Sequence, residues 1–127
     1  MAQFDYDSAY DPAAPVIPIG LANPDDDRPP LRTQALIDSG SDATLIPLTI
    51  LQRIGTYSGE QVSFRGVTGS RMITDMYRVL IYMPIGISYG IRAIATRGTD
   101  EIILGRDVLN QWRIVLDGPG EIVEITA

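Results

Sequence analysis

The chain alternates short apolar runs with clusters of turn-forming residues, and few windows carry a helical period. Val16 to Leu21 reads as a strand, moved toward a sheet edge by Pro18, which has no N–H for a ladder. NPDDDRPP, Asn23 to Pro30, is a loop by composition, and Leu31 to Asp38 is a second strand. Leu48, Ile50, Leu51 and Ile54 fit one helical face. That helix starts after Pro47 and stops at Gly55, with Arg53 in its last turn. Gln61 to Arg65 and Arg71 to Met83 form a hairpin around Gly66 to Ser70. Gly86 to Gly90 reads as a tight turn before a short strand over Ile91 to Thr96. Ile102 to Leu104 is another strand, and Arg106 to Trp112 fits a short helix. RIVLDGPGEIVEIT closes the chain as a hairpin around Asp117 to Gly120. Many short strands with one or two short helices predict a mostly β, closed barrel. Residues 1 to 15, polar and holding Pro12 and Pro15, read as an extended N-terminal arm ahead of one domain over residues 16 to 127.

Composition removes whole mechanisms. The chain has no cysteine, histidine or lysine, and all ten basic residues are arginine. Disulfides, thiolate metal sites, Ser-His-Asp triads, Schiff bases and P-loops are therefore excluded. Gly86-Ile87-Ser88-Tyr89-Gly90 spells the pattern of a nucleophile elbow, but no histidine exists to serve it and no helix follows. Six of the sixteen acids precede the first arginine, Arg28, and the remaining ten balance the ten arginines. No basic stripe is present, so neither nucleic acid nor a membrane is expected as a partner. The acid cluster at Asp25 to Asp27 lacks the spacing of a calcium loop, and no metal or cofactor is expected. The N-terminus has no basic n-region or apolar h-region, and Val79 to Ile91 is shorter than the roughly 20 residues of a spanning helix. The expected location is cytoplasmic.

Chemistry must then rest on carboxylates, hydroxyls, arginines or backbone groups. In ALIDSGSDATLIP, Ala35 to Pro47, an apolar run ends in Asp38, followed by Ser39 and Gly40. A buried carboxylate is costly without hydrogen bonds or a partner, and Gly40 lets a backbone N–H approach it. An Asp-Ser-Gly turn alone is common. It is joined here by a Gly-containing hairpin and by Ile103-Leu104-Gly105-Arg106-Asp107 before a closing hairpin.

This order resembles the retropepsins, the retroviral-type aspartic proteases with stand-alone cellular and bacterial relatives. The resemblance runs from about Val16 to the C-terminus. It is carried by ALIDSGSDATLIP and IILGRDVLNQWRIVL, with YDPAAPVIPIGL similar to the lead-in of prokaryotic members. It implies an acid-protease-like barrel that makes one half of a pepsin-type site. Asp38 would be the catalytic aspartate, Ser39 a member of the hydroxyl pair beneath two aspartates, and Gly40 a backbone contact to substrate. Gly66, Val67, Thr68 and Gly69 would form the flap tip. Leu36, Leu45 and Ile103 would line the substrate groove, though buried aliphatics are ordinary core residues. Gly105 would lie beneath the active-site turn, and Asp42 and Arg106 would form an ion pair.

The sequence departs from the retroviral pattern in a longer N-terminal arm and at three further places. Serine replaces the usual threonine after the aspartate, Thr68 stands where flaps usually carry glycine, and no arginine stands in the N-terminal strand. Only one Asp-Ser/Thr-Gly is present, so the resemblance implies a homodimer with two copies of Asp38 on its axis, cleaving a peptide or protein substrate. An idle or regulated dimeric peptide-binding module of the same fold is the alternative. An aspartate nucleophile of phosphoryl transfer is disfavoured, because Gly40 replaces the second aspartate and no lysine clamps phosphate.

Overall fold

The computed structural model describes residues 1–65 and 69–127, apart from the side chains of Ser58, Glu60, Val62, Phe64 and Met72. Among the described residues there are ten strands and two short helices. Strand β2 (Val16–Ala22) is buried at every position but Pro18, because neighbours cover it on both sides. It pairs antiparallel with β3 (Leu31–Ile37) along its length, and its last three residues also pair with β6 (Arg71–Met83). Pro18 lies outside that second pairing, where its missing N–H costs nothing.

From β3 the sheet continues through β8 (Ile103–Leu104), β4 (Leu45–Pro47), β7 (Gly86–Thr96) and β6 to β5 (Ser58–Arg65). The pairing of β2 with β6 closes this sheet into a ring, with β5 outside it. Two pairings are parallel, β3 with β8 and β4 with β7, so the sheet is mixed. Closure buries Ile17, Leu21, Ile46, Ile81, Ala93 and Leu104 completely. Each full burial of a large aliphatic contributes about 1.5–3 kcal/mol, which outweighs the weak local preferences of strands this short.

Helix α1 (Leu48–Arg53) begins after Pro47 and drives Leu51 fully into the core. It stops at Gly55, whose φ of 76° favours glycine. Helix α2 (Arg106–Leu109) is shorter than the run expected to Trp112, and it buries Val108 and Leu109. After it, β9 (Arg113–Asp117) and β10 (Ile122–Thr126) form the terminal hairpin.

The structure departs from sequence expectation at two further places. Gly86 to Gly90 is not a tight turn: it is the first half of β7, and the turn lies at Pro84 and Ile85. The glycines suggested a reversal, but Gly90 (φ 73°) instead sits where the register with β6 shifts. Ser88 is buried and accepts a 2.7 Å hydrogen bond from the Trp112 indole N–H, so its hydroxyl serves packing. Residues 1 to 15, read as an extended arm, contain β1 (Ala2–Asp5), paired antiparallel with β10, and a bridge between Asp7 and Ala14. The result is a second, three-stranded sheet in the order β1, β10, β9.

Beyond its pairing with β7, β6 projects from the ring with β5 as a two-stranded arm. The expected flap residues Gly66, Val67 and Thr68 lie outside the described residues. Gly69, with φ 82°, begins the return into β6.

Candidate functional site

The candidate site forms where β3 ends. Ile37 is the last residue of that strand, and the Asp38 N–H donates to the Leu104 carbonyl of β8 at 3.1 Å. The chain then turns: the Ser41 N–H donates to the Asp38 carbonyl at 3.1 Å, and the Gly40 N–H to the Asp38 carboxylate at 2.9 Å. Asp38 is half-buried, with Ser39 and Gly40 exposed beside it. A Cβ on Gly40 would stand 3.1 Å from the Asp38 carboxylate oxygen, crowding the contact that holds it.

A second segment holds this turn from below. Gly105 is buried, and a Cβ there would lie 2.3 Å from the Ala43 carbonyl oxygen and 2.5 Å from its carbon. Its φ is −91°, so packing and not backbone conformation requires glycine. The next residue, Arg106, donates its N–H to the Ser41 carbonyl at 2.9 Å. Its guanidinium donates to the Ser39 carbonyl at 2.7 Å and also engages the Asp42 carboxylate. This ion pair lies at the surface: the Asp42 side chain is 84% exposed and that of Arg106 44%. Solvent screening limits such a pair to about 0–1 kcal/mol, and the bond to the Ser39 carbonyl is the more specific restraint on the turn.

Thr44 and Asp107 complete the support, and sequence reasoning missed them. Thr44 is fully buried. Its hydroxyl donates to Asp107 at 2.8 Å and its N–H to the same carboxylate at 3.2 Å, while the Gly105 N–H donates to the Thr44 hydroxyl at 3.2 Å. The only sequence signal was an acid in the first turn of a helix, which the helix dipole alone explains.

Leu36, Leu45 and Ile103 come together as adjacent backbone partners: Ile103 pairs with Leu36 across β3 and with Leu45 across β4. All three are half-buried. Leu36 also borders a hollow of about 230 Å³ with Asp7, Tyr10, Gln34 and Glu101. Burial, together with the Glu101, Asp7 and Asp100 carboxylates, raises the Tyr10 phenol above its ordinary value. Placing Asp7 and Tyr10 here required the folding of residues 1 to 15, which no periodicity announced.

The chain presents one Asp-Ser-Gly turn, rigidly supported, with a carboxylate that remains accessible. One carboxylate can act as a base or as an acid, but not both in the same step. Among the described residues no cluster of three or more acids is placed to hold a metal, and no helix is long and apolar enough to cross a membrane.

No protein-family model and no curated protein matches the sequence. Solved structures do match the fold. A retropepsin-like aspartic protease from Rickettsia conorii superposes with a TM-score of 0.63 at 11% identity, covering 99% of this chain and 94% of its own. EIAV protease complexed with the inhibitor HBY-793 superposes with a TM-score of 0.52 at 22% identity, covering 77% of this chain and 86% of its own. The chain has the retropepsin fold: mostly β, a ring-like mixed sheet and two short helices.

Proposed function

We propose that this protein is a homodimeric aspartic endopeptidase whose site is built from two copies of Asp38, one from each subunit. The observation that carries the reading is the Asp38 turn itself. Its carboxylate is fixed by the Gly40 N–H, and its backbone is held by Gly105, Arg106 and the Thr44–Asp107 pair. A loop that merely reverses direction does not need support from four sides. The retropepsin fold and the single Asp-Ser-Gly in the sequence support the same assignment.

In the reaction the two carboxylates share one proton. The ionised Asp38 takes a proton from a water, which attacks the scissile carbonyl carbon. The protonated Asp38 of the other subunit donates to the carbonyl oxygen. The tetrahedral intermediate then collapses: the C–N bond breaks, the amine leaves with a proton from the carboxyl that took it from water, and one hydroxyl of the gem-diol returns its proton to the other carboxylate as the carbonyl re-forms, restoring the single shared proton. Leu36, Leu45 and Ile103 receive side chains of the peptide, and the arm of β5 and β6 carries a flap over it. Acid–base participation of this kind contributes on the order of 10²–10⁴-fold, and the remainder comes from orientation and exclusion of water.

The test is peptide cleavage by the wild type and by Asp38→Asn, with folding and association checked in parallel. The reading expects cleavage to vanish in a variant that still folds and dimerises. A variant that cleaves at the wild-type rate refutes it. A wild-type protein that binds peptides but cleaves none would make it an idle module of the same fold.

A further inference from the structure

The arm of β5 and β6 carries a charge arrangement that the fold does not use. Arg65 and Arg71 are direct partners across it and form its outermost pair. Directly opposite residues share a face, with Cβ atoms about 4.5–5.5 Å apart, and like charges placed so repel. Both arginines are exposed, and among the described residues neither has an ion-pair partner. Asp75, the next acid along the same face of β6, is four positions away, about 13 Å at strand spacing and out of reach of an ion pair.

This face can be followed into the core. The register irregularities of β6 with its two neighbours fall on the neighbours, on β5 between Ser58 and Glu60 and on β7 around Gly90, so alternation along β6 is unbroken. Arg71, Ile73, Tyr77 and Val79 therefore lie on one side of it. Val79 is buried and Tyr77 packs against the core. The arginine face is thus the inward face of the sheet, carried past the edge of the ring. On it Ile73, opposite Ser63, is 76% exposed.

An inward face that ends in an uncovered aliphatic and two unpaired guanidinium groups is complementary to a ligand both apolar and anionic. The planar fork of arginine matches a carboxylate with two parallel hydrogen bonds, and two forks side by side can hold one carboxylate between them. The chain has a formal net charge of −6 and no basic stripe, which disfavours a polyanion and favours a single acidic group. We propose that Arg65 and Arg71 are specificity-determining residues that bind the carboxylate of an aspartate or glutamate in the peptide substrate, next to an apolar side chain that covers Ile73. The inference rests on the peptidase reading above and names its substrate class, acidic peptides. Leu36, Leu45 and Ile103 take apolar side chains of the same peptide. Its acidic side chain turns to the arm, away from the Asp38 carboxylates that would repel it. Binding replaces the repulsion between the two arginines with two attractive contacts.

The test separates recognition from cleavage. A random-sequence peptide library is selected on immobilised Asp38→Asn chains, and the bound peptides are sequenced, with circular dichroism as the check on folding. Aspartate and glutamate should be enriched at one fixed place in the bound peptides. Adding Arg65→Gln and Arg71→Gln should abolish the enrichment. Adding Arg65→Glu and Arg71→Glu instead should replace it with enrichment of arginine and lysine, an outcome that damage to the arm could not produce. A selected peptide and its counterpart with glutamine in place of glutamate are then compared as substrates of chains that keep Asp38. Their kcat/KM values should differ on the order of 5- to 10-fold, mainly through KM, and the difference should shrink as salt is raised. It should vanish when both arginines are changed to glutamine. No acidic enrichment, an enrichment that survives both double variants, or an equal loss of cleavage for both peptides overturns the inference. Asp38-dependent cleavage without acidic preference would leave the proposed function standing. Acidic selection that depends on the two arginines, by a protein that cleaves none of the selected peptides, would uphold the arginine pair and refute the peptidase.

Discussion

Replacing Gly105 with alanine adds one methyl group at a point where backbone closes on backbone. The new Cβ would lie 2.3 Å from the Ala43 carbonyl oxygen and 2.9 Å from its nitrogen, about 1 Å inside ordinary contact for the nearer atom. A flexible side chain could swing aside, but these atoms belong to the main chain. Both segments are also pinned by the hydrogen bonds from the Gly105 N–H to Thr44 and from the Arg106 N–H to Ser41. Overpacking in a close-packed region typically costs about 1–3 kcal/mol, and a site unable to relax belongs at the upper end. With φ at −91°, alanine adds no conformational strain, so the full effect is steric. We expect Gly105→Ala to lose about 3 kcal/mol in urea unfolding, and to lose most peptide cleavage even below its unfolding midpoint, because the strain is relieved by moving the Asp38 turn. Gly118→Ala is the control: a Cβ there meets nothing within 4 Å, and stability should change by less than about 0.5 kcal/mol. A Gly105→Ala protein as stable and active as the wild type would refute the close packing of Gly105 beneath the turn.

Asp107→Ala strands the buried Thr44 hydroxyl and N–H and should cost about 2–3 kcal/mol in denaturant unfolding, whereas Asp107→Asn, which keeps an acceptor, should cost less. Arg106→Ala should cost only about 1 kcal/mol of stability, since its ion pair is exposed, yet reduce cleavage more than that figure implies, by freeing the Ser39 carbonyl. Activity should fall on both sides of a maximum as pH is varied, because the pair of carboxylates is competent only while it shares one proton, and Asp38→Asn should abolish both limbs. The Tyr10 phenol, followed by ultraviolet absorbance, should ionise above pH 10 in the folded protein. Because its folded value is raised, the stability it contributes is complete below pH 10 and is lost as pH rises through the folded value, and Tyr10→Phe should remove that component.

The elements that local pattern could decide were legible in the sequence. The apolar run into Asp38, the face of Leu48, Leu51 and Ile54, and the hairpin around Asp117 to Gly120 each follow from a period or a turn residue within a few positions. What escaped depends on contacts between distant parts of the chain. The pairing of β1 with β10 joins the two ends, and the bond between Thr44 and Asp107 spans 63 positions. Neither has a local signature. The glycines at 86 and 90 misled because glycine permits both a reversal and a strand with a local register shift, and only the partner strand β6 selects the second. Around Asp38 the residue types were legible, but the exposure of the Asp42–Arg106 pair was not, since spacing carries no information about solvent.

The central claim, that catalysis needs two Asp38 carboxylates from two chains, is tested most directly by mixing. Wild-type and Asp38→Asn chains are combined at constant total concentration, well above the dimer dissociation constant, allowed to exchange subunits, and assayed for peptide cleavage. If only dimers with two Asp38 are active, activity falls as the square of the wild-type fraction, to about one quarter at an equimolar mixture. A linear fall, to about one half, would mean that each chain carries its own complete site and would contradict the account.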